Sequence, residues 1–329
     1  MSALMDLQDV RTYFYVSKGF FKSLTVKAVD GVSLTIPRGE TVAIVGESGS
    51  GKTTLGRTAL KLVQPFSGRI IFEGKDITNL RDNMKWFRKK AQMIFQDPFT
   101  SLNPYMTVKQ IVEEPMIIHG YDVKERDEKV LKALSDVRLV PPEEFLPKYP
   151  HMLSGGQRQR VGIARTLVLD PIFLVADEPV SMIDASSRAE ILYLLGEIQK
   201  KYGMGIMYIT HDIATAKYFS DNIAVMYLGK IVEYGETRSV LKEPFHPYTK
   251  ALIEAVPDPD PSNRFRFRKV IPGEPPSPIN PPLGCRFHPR CPYATEVCKE
   301  KEPPLIEVRG HRVACHRAEE IAGQPLTTK

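Results

Sequence analysis

Short apolar runs, each closed by polar or turn-forming residues, set the rhythm of this chain. Residues 4 to 45 alternate apolar and polar segments, with turns at Gly31 and at Pro37–Arg38–Gly39. That period of two predicts an antiparallel β region. Thr41 to Val45, Arg69 to Phe72 and Ala91 to Phe95 predict three further strands. The last runs into Gln96–Asp97–Pro98, where Pro98 cannot continue a ladder, so Gln96 is left at a strand end. From Thr107 to about Arg138 the period lengthens to that of a helix. Val108, Ile111 and Val112 share one face, as do Val130, Leu134 and Val137, and Pro141–Pro142 closes the stretch. Ser154 predicts an N-cap for a helix running to Leu169. Ile172 to Ala176 (IFLVA) predicts a buried parallel strand with Asp177 and Glu178 at its end. Ser187 and Glu190 have the spacing of a capping box, opening a helix that carries Ile191, Leu194, Leu195 and Ile198. Ile206 to Thr210 predicts another strand, with His211 just past it. Ile223–Tyr227 and Ile231–Tyr234 predict a hairpin around Leu228–Gly229–Lys230. Beyond about residue 243 proline becomes dense, which predicts loop-rich or extended chain in place of a core domain.

One stretch organises the rest. Gly46 to Thr54 reads GESGSGKTT, between a β-branched strand and a helix-compatible segment. This matches G-x-x-x-x-G-K-S/T in full and in its required context. Gly46, Gly49 and Gly51 let the backbone curl with its N–H groups inward, and the following helix adds its positive end. Gly46, Glu47, Ser48, Gly49, Ser50, Gly51, Lys52, Thr53 and Thr54 are therefore the candidate phosphate-binding residues. Lys52 is placed to reach β- and γ-phosphates and Thr53 to hold Mg²⁺. Upstream, Tyr13, Phe14 and Tyr15 offer rings for stacking on a base or for packing an edge strand.

Strand ends carry the remaining chemistry, as open α/β sheets lead one to expect. Asp177 is placed to hold Mg²⁺ through its water shell, and Glu178 to polarise an attacking water. His211 would lie on the γ-phosphate side, and Gln96 near metal or water. Ser154, Gly155, Gly156 and Gln157 begin a second helix, and so form a second anion site.

Composition limits the alternatives. The chain has 329 residues, which predicts two domains with a further module. Net charge is +6, with 45 basic and 39 acidic residues interspersed, a weak signal for nucleic acid. The opening MSALMDLQDV does not read as a signal peptide. Apolar runs such as Ile172–Ala176 and Ile191–Leu195 have five residues each, too few to span a bilayer.

LSGGQ at 153–157, DEP at 177–179, the Gln96 strand end and ITHD at 209–212 together resemble the ATP-binding cassette (ABC) ATPases, over about residues 5 to 240. The resemblance implies an α/β fold: a RecA-like core with an antiparallel β subdomain (1–96 and 160–240), a helical subdomain (97–159) and a C-terminal extension (241–329). It implies ATP and Mg²⁺ as cofactors and selects Phe14 for the adenine. It also implies that Ser154–Gln157 face the γ-phosphate of ATP held by a second, related cassette in a head-to-tail dimer, and it counts Asp184 among the nucleotide-binding residues.

QDPFTSLNPYMTV, HPYTKALIEAVP and GCRFHPRCPYA narrow the resemblance to ATPase subunits of oligopeptide and dipeptide importers, the second of the two such systems carry. Expected partners are a related ATPase, two membrane permease subunits and an external binding protein, with the chain at the cytoplasmic face of the membrane. The stretch after Gln96, through about residue 118, would meet a permease coupling helix. Ser181-Met182-Ile183-Asp184 departs from the usual Ser-Ala-Leu-Asp but keeps Asp184. Oligosaccharide import by the same machinery is the alternative. A soluble cassette ATPase acting on nucleic acid or the ribosome is the rival from another class. It is disfavoured by the single cassette, the lack of a heptad run and the importer-type tail.

Cys285, Cys291, Cys298 and Cys315 are separated by five, six and sixteen residues. Four thiols in one segment can ligate Zn²⁺ or an iron–sulfur cluster. The spacing is unlike common zinc pairs, though His288, His311 and His316 keep a mixed site open. The resemblance implies a 4Fe–4S cluster, with zinc or free or disulfide-linked thiols as alternatives.

Overall fold

The computed structural model describes residues 3–18, 22–256 and 273–321. The chain forms two compact units. One is drawn from Asp6–Thr35, Thr41–Ile71 and Ile209–Lys329. The other is drawn from Phe72–Tyr208 with the short pieces Met1–Met5 and Ile36–Glu40.

In the first unit the strand Thr41–Val45 is buried along its whole length. It pairs in parallel with Asn222–Tyr227, from Val42 opposite Asn222 to Val45 opposite Val225. Asn222–Tyr227 turns back through Leu228 and Gly229, both at positive φ, into the antiparallel strand Lys230–Glu236. The hairpin expected here is present. Separately, the long strand Ala3–Lys18 lies between Lys22–Pro37 and Ser67–Phe72, as the alternating pattern predicts.

The C-terminal region departs from expectation. It is a packed module that extends the P-loop strand's own sheet. His311–Val313 pairs antiparallel with Lys230–Glu236, and Ile306–Val308 pairs with His311–Val313. Phe245, Val308, Val313 and Ala318 are buried together. Lys230–Glu236 would otherwise be an edge strand with unpaired backbone groups, and the added strands satisfy them. Many prolines sit where proline suits structure, such as Pro247 at the start of the helix Pro247–Glu254 and Pro289 in the turn His288–Arg290. Residues 257–272, with the whole DPDP run at 258–261, lie outside the described residues.

In the second unit Ala91–Ile94 and Phe173–Asp177 pair in parallel. The helical stretch after Thr107 is two helices, Val108–His119 and Val123–Asp136. Gly120 in the left-handed conformation ends the first, and Asp122 caps the second by accepting from Glu125 N–H. Val108, Ile111, Val112, Val130, Leu134 and Val137 are all buried, as their spacing requires. The helix expected to open at Ser187 starts earlier, spanning Ala185–Tyr202. Its cap is Asp184, whose carboxylate accepts from Ser187 N–H, so Ser187 is the receiving position and not the cap. No helix among the described residues is long and apolar enough to cross a membrane.

Candidate functional site

The loop Gly46–Gly51 leads into the helix Lys52–Ala59. Gly49 and Gly51 have φ of 78° and 102°, a region other residues rarely enter. A Cβ at Gly51 would overlap the Ala28 carbonyl, and one at Gly46 the Met226 carbonyl. No side chain caps this helix, so its first N–H groups face the loop interior. Lys52 is 5% exposed, and its Nζ donates to the carbonyls of Gly46 (2.8 Å) and Glu47 (2.9 Å). Ser50 is also buried, and its Oγ has no hydrogen-bond partner among the described residues. A backbone nest, an uncapped helix start and an inward lysine together fit a polyphosphate chain.

In the same unit Tyr13 is committed: its hydroxyl donates to Asp30 (2.5 Å) and its ring stacks on Phe66 at 4.9 Å. Phe14 is exposed, with its ring presented outward. His211 follows the strand Gly205–Thr210 and is exposed.

The other unit gathers its own set. The parallel register puts Ile94 opposite Ala176, so two residues further on Gln96 meets Glu178. Gln96 Nε2 donates to Glu178 Oε2 at 3.0 Å. Asp177 is 2% exposed at the strand end. Glu178 has φ of 44°, a strained backbone for this residue type and one that recurs at functional positions. The helix Gly155–Leu167 is capped by a reciprocal pair. Ser154 Oγ accepts from Gln157 N–H (3.2 Å), and Gln157 Oε1 accepts from Ser154 N–H (3.0 Å). Asp184 caps the next helix.

The four cysteines line one cavity in the first unit, with Phe287 and His288. Burial pushes the Cys291 thiol up to about 12 and that of Cys315 to about 11, and raises Cys285 as well. Four soft donors on one buried cavity fit a thiolate-bound group in kind. Among the described residues, however, no three His, Cys, Asp or Glu side chains stand in a ligating group.

Three residues outside the sequence-derived set touch the P-loop unit's key groups. Tyr248 and Arg290 hold Glu47, and Arg286 pairs with the buried Asp30. Arg286 and Arg290 lie inside GCRFHPRC, but nothing in their spacing indicates these contacts.

Residues 29–181 match the family described as ABC transporter, and residues 232–298 match the C-terminal region of oligopeptide/dipeptide transporters. The chain is 47% identical over 320 residues to the oligopeptide transport ATP-binding protein AppF of Bacillus subtilis (strain 168), covering 95% of this chain and 97% of that one. The chain belongs to the ABC transporter family. This member is an ATPase of the oligopeptide/dipeptide type, as the match at both ends requires. It is also 48% identical over 299 residues to a putative peptide import ATP-binding protein of Brucella ovis, covering 90% of this chain and 93% of that one. The ATP-binding cassette MJ0796, solved as a dimer bound to ADP and Pi, is similar at 30% identity and a TM-score of 0.63, covering 71% of this chain and 99% of that chain. CbiO1 of Clostridium perfringens is similar at 31% identity and 0.65, covering 74% of this chain and 92% of that one.

Proposed function

We propose that this ABC ATPase powers the import of di- or oligopeptides from the cytoplasmic face of a membrane. The observation that carries this reading is a complete cassette joined, in one sheet, to a C-terminal region of the oligopeptide type. The P-loop residues bind the ATP phosphates, with Lys52 on the β- and γ-phosphates and Phe14 stacked on the adenine. Thr53, Asp177 and Gln96 hold or order Mg²⁺ and its waters. Glu178, oriented by the Gln96 amide, draws a proton from the attacking water. His211 stabilises charge at the γ-phosphate. The domain division expected from the sequence (1–96 with 160–240, 97–159, and 241–329) is kept in this reading.

Ser154, Gly155, Gly156 and Gln157 serve a second cassette, a related ATPase subunit, head to tail, and Asp184 belongs to the nucleotide site. Beyond its chain neighbours and its own helix backbone, a Cβ at Gly155 would stand in open space, which leaves room for a close approach from outside. That the similar cassette MJ0796 was solved as a dimer supports pairing of cassettes. Phe99, Tyr105, Ile117 and Ile118 expose apolar surface on the stretch that would take a permease coupling helix. Two permease subunits and an external binding protein complete the machine. Cys285, Cys291, Cys298 and Cys315, which line one cavity, would hold a 4Fe–4S cluster, or zinc. Such a group would staple the C-terminal module. Iron, sulfide and zinc assays on anaerobically purified protein test this, and colourless protein with one zinc would sink the cluster.

The function itself is tested by ATPase activity of the reconstituted transporter, with its binding protein loaded from a panel of peptides and oligosaccharides. Stimulation by short peptides is expected. Stimulation by sugars alone would overturn the substrate class and leave the ATP chemistry standing.

A further inference from the structure

The carboxylate of Glu47 is at odds with its place. It sits second in a loop built to attract anions, where a negative charge opposes the ligand. Arg290 answers it with a fork: Nη1 donates to Oε2 at 2.9 Å and Nη2 to Oε1 at 3.2 Å. The guanidinium lies 5.9 Å over the Tyr227 ring, and its side chain is 7% exposed. The Glu47 backbone is held as well. Its N–H donates to Tyr248 Oη at 2.8 Å, and its carbonyl accepts from Lys52 Nζ. Tyr227 and Tyr248 both pack on Phe287, at 5.3 and 5.4 Å between centroids. The turn His288–Arg290, closed by Arg290 N–H to the Phe287 carbonyl, fixes where the fork points. Amide, carbonyl and carboxylate of Glu47 are thus all engaged, two of them from 201 and 243 residues away.

We propose that Arg290 is a positioning residue of the nucleotide site: it neutralises Glu47 and holds the entry to the P-loop in its anion-binding form, so that the cysteine-bearing module is part of ATP binding. The proposal rests on reading residues 46–54 as that site. A plain anchor between module and loop would change stability alone. A neutralising role predicts more, because removing the carboxylate as well should undo the damage.

Binding of a fluorescent ATP analogue with Mg²⁺ to the purified full chain tests this, with melting temperature followed in parallel. Arg290→Ala should raise Kd about tenfold, the scale of one uncompensated charge near a polyphosphate at partial screening. The double variant Arg290→Ala with Glu47→Gln should recover most of that loss. Arg290→Lys, which keeps the charge and loses the fork, should fall between. Should Arg290→Ala fail to fold, Arg290→Met keeps an aliphatic stem over Tyr227 and supports the same two comparisons. Wild-type affinity in the single variant, or no recovery in the double, overturns the proposal. Lys52→Ala separates the two levels: if wild type binds no better than Lys52→Ala, the site reading fails and takes the proposal with it.

Discussion

Two helices of this chain begin at the turns proposed to bind nucleotide phosphates, and they are built in opposite ways. The helix Gly155–Leu167 is started by its own neighbours. Ser154 and Gln157 satisfy each other's backbone N–H groups across three residues. The helix Lys52–Ala59 has no side-chain cap. Its loop is held by Tyr248 and Arg290, which arrive from the far end of the chain. A self-capped start is stiff whatever the rest of the module does. A start braced from a distance depends on the fold that carries the brace. The first therefore suits a surface offered to a partner, and the second suits a site whose competence is set within its own unit.

The sharpest way to separate the two is to disable chemistry without touching either brace. Glu178→Gln should cut ATP turnover by two to three orders of magnitude while ATP binding survives, read by paired turnover and binding assays. Near-normal turnover would remove Glu178 from its role. His211→Ala should cost on the order of 10²-fold in turnover, again with binding kept. Next in size are the braces. Ser154→Ala removes a cap worth about 1 kcal/mol and should lower the melting temperature by a few degrees. It should leave ATP affinity of the isolated chain unaltered, because in the proposed dimer this cap serves the other cassette. Tyr248→Phe should do the reverse. It leaves the Glu47 N–H without its acceptor and should raise the Kd for ATP severalfold, with only a small thermal shift. If both variants act alike, the contrast between the two helix starts fails.

The smallest effect is a pH dependence. His246 caps the helix Pro247–Glu254 by accepting from Tyr248 N–H, and burial pushes it down to about 4 while Glu233 pulls the other way. Glu233 is itself buried, holding the N–H groups of Phe245 and His246 and facing His311. An unfolded histidine titrates near 6.5, so the unfolded chain takes the proton first. The stability of neutral His246 is thus complete above about pH 6.5 and is lost as pH falls toward 4. His246→Asn keeps a cap acceptor without a titrating group. Its melting temperature should fall less between pH 7 and 4.5 than that of the wild type, and an equal fall would exclude His246 as the cause.

Much of this was legible in the sequence because it is local. The P-loop spacing, the Ser154 cap, and the strand carrying Asp177 and Glu178 are each specified within about ten residues, where propensity and period act directly. The misplaced cap at Ser187 shows the limit of local reading. Ser187 and Glu190 satisfy the pattern, but Asp184 sits three residues earlier and wins with a stronger acceptor. The helical stretch after Thr107 was legible as helix, but not its division, which Gly120 and Asp122 set.

The C-terminal region was read as loop because proline density hides short strands. The strands His311–Val313 and Ile306–Val308 have three residues each, too few to show a period. They exist because Lys230–Glu236 offers them an edge, which is information stored eighty residues upstream. The sequence by itself determined the P-loop pattern at 46–54, the Ser154 cap of the helix Gly155–Leu167 and the acids at the end of the strand Phe173–Asp177, since each is a property of neighbouring residues. Only the tertiary structure decided that Glu47 is neutralised by Arg290, that Tyr248 holds its amide and that four cysteines share one cavity. Those are contacts between distant segments, and ion pairing and burial depend on proximity in space that no spacing along the chain encodes.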